Sequence, residues 1–181
     1  PVHALGVDDH GRPVLVMKRV IGEEWGRRLA EHPTELDDHL AVLVQVCHAV
    51  EFAHSKGILH RDIKPANVMV GEYGEVQLCD FGIALRLEAN HDRLPMSGTP
   101  AYMAPEQGTG DALTEAADWY AVGVILFEAL TGRLPFLGSP LQILLDKQRL
   151  EPPRPSELSP HAPGDLAALC LELLRTRPEA R

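Results

Sequence analysis

Between residues 34 and 56 the side chains of Leu36, Leu40, Leu43, Cys47, Val50 and His54 fall three and four positions apart, the spacing that lines one face of an α-helix. Thr34 with Asp37 reads as a capping box ahead of that helix, and Gly57 stands where a C-cap belongs. Residues 114–131 are apolar almost all round the helical wheel, which predicts a buried central helix ended by Gly132. The amphipathic period returns in residues 141–149 and 165–174. The proline-rich stretch 151–163 between them reads as a loop inside one domain. Elsewhere the apolar runs are short. Residues 3–7 and 13–18 flank the turn signal Asp8-Asp9-His10-Gly11, and residues 68–70 and 76–78 flank Gly71-Glu72-Tyr73-Gly74, so two hairpins are expected. Residues 83–100 carry neither period. Strands at the front and helices behind predict an α+β chain with one core.

Composition changes this picture little: 181 residues, 45% hydrophobic and 24% charged, are enough for one sizeable core. A net charge of −9 argues against a nucleic acid or an anionic membrane surface as partner. The longest apolar stretch, residues 119–127, is too short to span a bilayer, so no membrane contact is expected within this segment. No signal peptide opens the chain, whose first ten residues include Asp8 and Asp9. Cys47, Cys79 and Cys170 lie far apart without a CxxC pair, which suggests reduced thiols and a cytoplasmic setting, any membrane anchor of a parent protein lying outside the segment. His48, His54 and His60 recur every six residues and so point to different sides of a helix, unsuited to a metal. A first residue other than Met and a last residue in mid-pattern read as a fragment of a longer protein.

The chemistry concentrates in His60-Arg61-Asp62-Ile63-Lys64-Pro65-Ala66-Asn67, after the long helix, and in Asp80-Phe81-Gly82, after the second hairpin. Phosphoryl transfer asks little covalent work of a protein; it needs a positioned nucleophile and clustered cations about the phosphates. One carboxylate must meet the incoming hydroxyl, while a second carboxylate and an amide oxygen hold Mg²⁺, a hard ion that selects oxygen. Asp62, Asp80 and Asn67 supply that set, with Lys64 as a cation beside the transferred group. Alone, either motif also occurs in small-molecule phosphotransferases or as a common turn.

In this order, and with Gly98-Thr99-Pro100-Ala101-Tyr102-Met103-Ala104-Pro105-Glu106 downstream, the chain resembles the eukaryotic-type protein kinase superfamily, in particular bacterial serine/threonine kinases. The resemblance implies a protein-kinase-like fold: residues 1–20 as the last strands and hinge of the N-lobe, and residues 21–181 as the mainly helical C-lobe. It implies ATP and Mg²⁺ as cofactors and a protein substrate; oligomeric state stays open. By the same resemblance Asp62, Lys64, Asn67, Asp80 and Thr99 are catalytic, Thr99 bonding both Asp62 and Lys64. Asn67 and Asp80 hold the metal. Met17 is the gatekeeper, Lys18 and Val20 meet the adenine edge through backbone atoms, Glu24 faces the ribose and Met69 floors the adenine. His60 and Phe81 belong to the hydrophobic spine, next to Gly82. Asp118 anchors the backbone of the catalytic loop, and Glu106 and Arg181 form a buried ion pair. Arg61 is the residue that a phosphate on the activation loop neutralises. Ser97 is the expected site of that phosphate, with Glu88 or Asp92 as a constitutive substitute. Ala66 stands where some relatives carry an acidic reader of basic substrates.

The segment holds no glycine-rich phosphate loop, strand lysine or helix glutamate, so this stretch by itself is expected to be inactive. Two readings remain: a protein serine/threonine kinase, or a pseudokinase or truncated scaffold that binds without catalysis. Intact Asp62, Asn67 and Asp80 favour the first, and the upstream reading frame discriminates between them. A small-molecule kinase would lack the Ala104-Pro105-Glu106 segment.

Overall fold

A computed structural model describes residues 2–81, 85–86 and 98–181 of the chain. The expectations for Gly82, Ser97, Glu88 and Asp92 lie outside the described residues.

The N-terminal hairpin pairs β1 (Val2–Val7) antiparallel with β2 (Pro13–Met17), Leu5 opposite Leu15 and Val7 opposite Pro13. Its turn is closed by Asp8, whose Oδ1 accepts from the backbone N–H groups of His10 and Arg12, both at 2.9 Å. A two-residue strand β3 (Glu23–Glu24) leads into α1 (Trp25–Glu31) and then α2 (Leu36–His54). The second hairpin, β5 (Val68–Val70) and β6 (Val76–Leu78), forms as the sequence suggests and gains β3 as a third strand, with Glu24 opposite Met69. Between α2 and β5, strand β4 (Ile58–Leu59) pairs with β7 (Leu85–Arg86).

The rest is helical: α3 (Pro105–Thr109), α4 (Ala116–Thr131), α5 (Pro140–Arg149), α6 (Pro155–Leu158) and α7 (Gly164–Leu173). The core gathers about α4, where Tyr120, Val124, Ile125 and Phe127 are fully buried. Gly132, at φ 67°, ends α4 in the left-handed conformation that glycine adopts without penalty. Gly123 lets α7 approach, since a Cβ there would sit 2.7 Å from that of Leu173.

Three details correct the sequence reading. The buried stripe of α2 centres on His39, Leu43, Val46 and Val50, so Leu36, Leu40 and Cys47 flank it half-buried. No capping box forms at Thr34: the Glu35 N–H bonds the His32 carbonyl at 3.1 Å, a turn that moves the helix start to Leu36 without a side-chain cap. The proline-rich stretch is not all loop, because Pro155 starts the short helix α6 from the N1 position that suits its fixed φ. Cys47, Cys79 and Cys170 are free thiols. Among the described residues no helix is long and apolar enough to cross a membrane.

Candidate active site

The segment from His60 to Asn67 leaves β4 and enters β5 through a 3-10 turn over Pro65–Asn67, where Pro65 is preset for the first helical position. Its first half is pinned to α4. Asp118, itself buried, accepts the His60 N–H on Oδ2 and the Arg61 N–H on Oδ1, each at 2.8 Å, and its Oδ2 also meets His54 Nε2 at 2.8 Å. From the other side Gln107 Nε2 donates to the Arg61 carbonyl at 2.9 Å. Arg61 is thus gripped at both its N–H and its carbonyl, which explains how it keeps φ 70°, a conformation that costs a residue with a Cβ roughly 1–3 kcal/mol. Gly98 passes so close that a Cβ on it would lie 3.1 Å from the same carbonyl.

Asp62 follows, its carboxylate held by three partners. Oδ2 accepts from Lys64 Nζ at 2.6 Å and from Asn67 Nδ2 at 3.2 Å. Oδ1 accepts from the Thr99 N–H at 2.9 Å and the Thr99 hydroxyl at 3.0 Å. Lys64 Nζ also donates to Thr99 Oγ1 at 2.7 Å, so Asp62, Lys64 and Thr99 close a ring across 35 residues of chain. Asn67 spends its amide nitrogen on the Asp62 carbonyl at 2.8 Å and side chain, which turns its Oδ1 the other way.

The second motif reaches the same place through backbone. Cys79 N–H donates to the Asn67 carbonyl at 2.7 Å, and the Cys79 carbonyl meets His60 Nε2 at 3.0 Å, so Asp80 begins beside Asn67. Asp80 is exposed and, like Arg61, has a positive φ, 63°. The Phe81 ring lies 4.4 Å from that of His60. Burial holds the His60 pKa below its ordinary value despite Asp118, Asp62 and Asp80 nearby; Nε2–H then donates to Cys79 while Nδ1 faces the Asp62 N–H at 3.3 Å.

Asn67 Oδ1 and the Asp80 carboxylate are the donors suited to Mg²⁺, which takes few protein oxygens and keeps several waters. Among the described residues no three His, Cys, Asp or Glu side chains are placed to hold a metal ion.

Glu24 and Met69 pair across β3 and β5, Glu24 exposed and Met69 half-buried. Lys18 and Val20 lie in the connection between β2 and β3, exposed and half-buried. The backbone of Met17 ends β2; its side chain is outside the described part.

On the far side, Glu106 receives Arg181 through two bonds, Nη1 to Oε1 at 2.6 Å and Nη2 to Oε2 at 2.8 Å, both side chains buried. Sequence reasoning gave no role of their own to Gln107, Tyr102, Glu128 and Lys147, whose bonds hold the stretch from Pro100 to Ala104. Tyr102 donates to Glu128 Oε2 at 2.8 Å, and burial raises the pKa of both groups. One signal was available: Glu128 interrupts the apolar run of α4.

A family model for the protein kinase domain matches residues 6–181. The chain is 36% identical over 179 residues to a probable serine/threonine-protein kinase, CE0033, of Corynebacterium efficiens, covering 93% of this chain and 27% of that protein. It is 37% identical over 175 residues to serine/threonine-protein kinase PknB of Mycobacterium tuberculosis, covering 93% of this chain and 28% of that protein. To serine/threonine-protein kinase Pkn1 of Myxococcus xanthus it is 38% identical over 178 residues, 94% of this chain and 26% of that one. The chain therefore spans about a quarter of the length of these relatives. The Asp62 carboxylate is ringed by lysine, threonine and asparagine, and the match runs along nearly the whole sequence: the chain belongs to the protein kinase domain family.

Proposed function

We propose that the protein is a serine/threonine kinase that transfers the γ-phosphoryl of Mg-ATP to protein hydroxyls. Residues 1–20 end its smaller lobe and residues 21–181 form the lobe that carries catalysis and peptide binding. The observation that supports this best is the ring joining Asp62, Lys64 and Thr99, because it couples the catalytic loop to the loop entering the Ala104-Pro105-Glu106 segment.

In this reading Asp62 orients the substrate hydroxyl and accepts its proton, its carboxylate held against rotation by Lys64, Asn67 and Thr99. Lys64 offers a cation where negative charge gathers on the transferred group. Asn67 Oδ1 and Asp80 would hold Mg²⁺, which would neutralise phosphate charge. The backbone of Lys18 and Val20 meets the adenine edge, Met69 lies under it and Glu24 faces the ribose. The rings of His60 and Phe81 meet at a tilt on either side of Asp80 in sequence and belong to the hydrophobic spine. Asp118 and Gln107 keep the loop in its strained form, so its geometry exists before substrate arrives.

The test uses the full-length protein. Asp62→Asn is expected to lose phosphotransfer to protein substrates by roughly 10²–10⁴-fold while nucleotide binding, measured by calorimetry, persists. Unchanged turnover in Asp62→Asn would refute the assigned role. A wild-type protein that binds nucleotide but never transfers phosphate would favour the scaffold reading instead.

A further inference from the structure

Lys147 is buried where its helix should be apolar. In α5 it shares the inward face with Ile143, one turn earlier, and it is only 1% exposed. Burial of an ammonium is costly unless its donors are met. Among the described residues no carboxylate lies within ion-pair distance of it. Its three N–H groups go instead to three carbonyls of one loop: Pro100 at 2.8 Å, Ala101 at 2.7 Å and Met103 at 2.7 Å. The face of the Tyr120 ring lies 5.2 Å away and is a further favourable partner for a cation. Burial pushes the lysine down to about 7, the cost that the three carbonyls and the ring oppose.

An apolar side chain of the same length would fill this space without that cost, so packing alone does not account for a lysine. It would also leave three inward-turned carbonyls without donors. These carbonyls belong to the loop that begins at Thr99, the partner of Asp62 and Lys64. The loop's other supports are sparser: Tyr102 on Glu128, the Ala104 N–H on Gln107 Oε1 at 2.9 Å, and Gln148 Nε2 on the Pro105 carbonyl at 2.7 Å. Gln148 and Lys147 both come from α5, which therefore clamps both ends of the loop.

We infer that Lys147 is a positioning residue for protein substrate, an internal strut that fixes the backbone of residues 100–103 and so the height of the peptide platform relative to Asp62. The inference rests on the kinase reading above. Lys147 touches no reacting atom; it acts through the loop.

The experiment compares full-length wild type, Lys147→Met and Lys147→Gln. Two readouts are used: steady-state kinetics against a serine-containing peptide and ATP, and amide hydrogen exchange across the chain. Lys147→Met is expected to raise the KM for peptide by about tenfold or more, with the KM for ATP within about twofold of wild type. Exchange at residues 101–104 should quicken while the amides of α4 stay protected. Lys147→Gln keeps two N–H donors and should fall between the two, and it carries the test if the Met variant does not fold. The strut is overturned if both variants keep wild-type peptide KM and wild-type exchange at 101–104. It is equally overturned if peptide KM, ATP KM and exchange throughout the chain change in parallel, which marks a general stabiliser. Should wild type phosphorylate no peptide, the kinase reading fails, and exchange at 101–104 alone still decides the strut.

Discussion

The N-terminal hairpin and the loops gathered around α4 are built on opposite principles. In the hairpin every described bond is local. β1 pairs with β2, the turn is tied by Asp8 to residues two and four positions away, and Leu5 and Val7 are 77% and 73% exposed. Around α4 the polar contacts span the chain: Lys64 to Thr99 across 35 residues, Asp118 to His60 across 58, Glu106 to Arg181 across 75. Local pairing makes a strand without committing it to a neighbour. Long-range pairing of buried charge fixes loops that have no periodic structure of their own. The strained Arg61 and the oriented Asp62 exist only because distant groups agree on their position.

Three changes sharpen this contrast. The largest effect belongs to the longest connection. Glu106→Ala leaves the Arg181 guanidinium buried without its carboxylate and is expected to cost about 3–5 kcal/mol in urea unfolding of the full-length chain. Replacing both partners, Glu106→Met with Arg181→Leu, should recover most of that loss, because no charge is then stranded. A pair that costs the same singly and doubly would show that shape, rather than charge, matters there.

A smaller effect is expected from acid. The His60 pKa is held below its ordinary 6.5 by burial, so the unfolded chain takes up a proton that the folded chain refuses. The stability at stake is complete above 6.5 and is lost as the pH falls from there through the lower folded value. Urea midpoints should therefore drop between about pH 7.5 and about pH 5.5, and His60→Leu should flatten part of that slope. A slope unchanged by the substitution would move the effect to another group.

The smallest effect lies in the hairpin. Leu5→Ser with Val7→Ser removes exposed apolar surface and should alter unfolding stability of the described fold by no more than about 0.5 kcal/mol. A loss of several kcal/mol would mean that this face is covered in the full-length protein, and the contrast between the two regions would fail.

Much of the fold was legible because its elements are periodic. The spacing along α2, the all-round apolar character of α4 and the two turn signals each identify an element within a few residues. What was missed is short. α1, α3 and α6 span 7, 5 and 4 residues, too few for a period to declare itself. At the candidate site the motif residues Asp62, Lys64, Asn67 and Thr99 were readable by type and order, and the structure brings them into one hydrogen-bonded cluster. Lys147 and Gln107 were not readable in this way. A lysine in an amphipathic helix and a glutamine after Pro105-Glu106 look like surface residues until the loop they hold is in view.

The sequence by itself determined the long helices, the two hairpins, and the type and order of the motif residues, because all of these are written in residue type and spacing. Only the tertiary structure decided that Asp118 grips the backbone of His60 and Arg61, and that Lys147 points inward onto three carbonyls. Those outcomes depend on the distance and direction of groups 44 to 58 residues apart, and a buried charge is settled by the partners that meet it rather than by its neighbours in the chain.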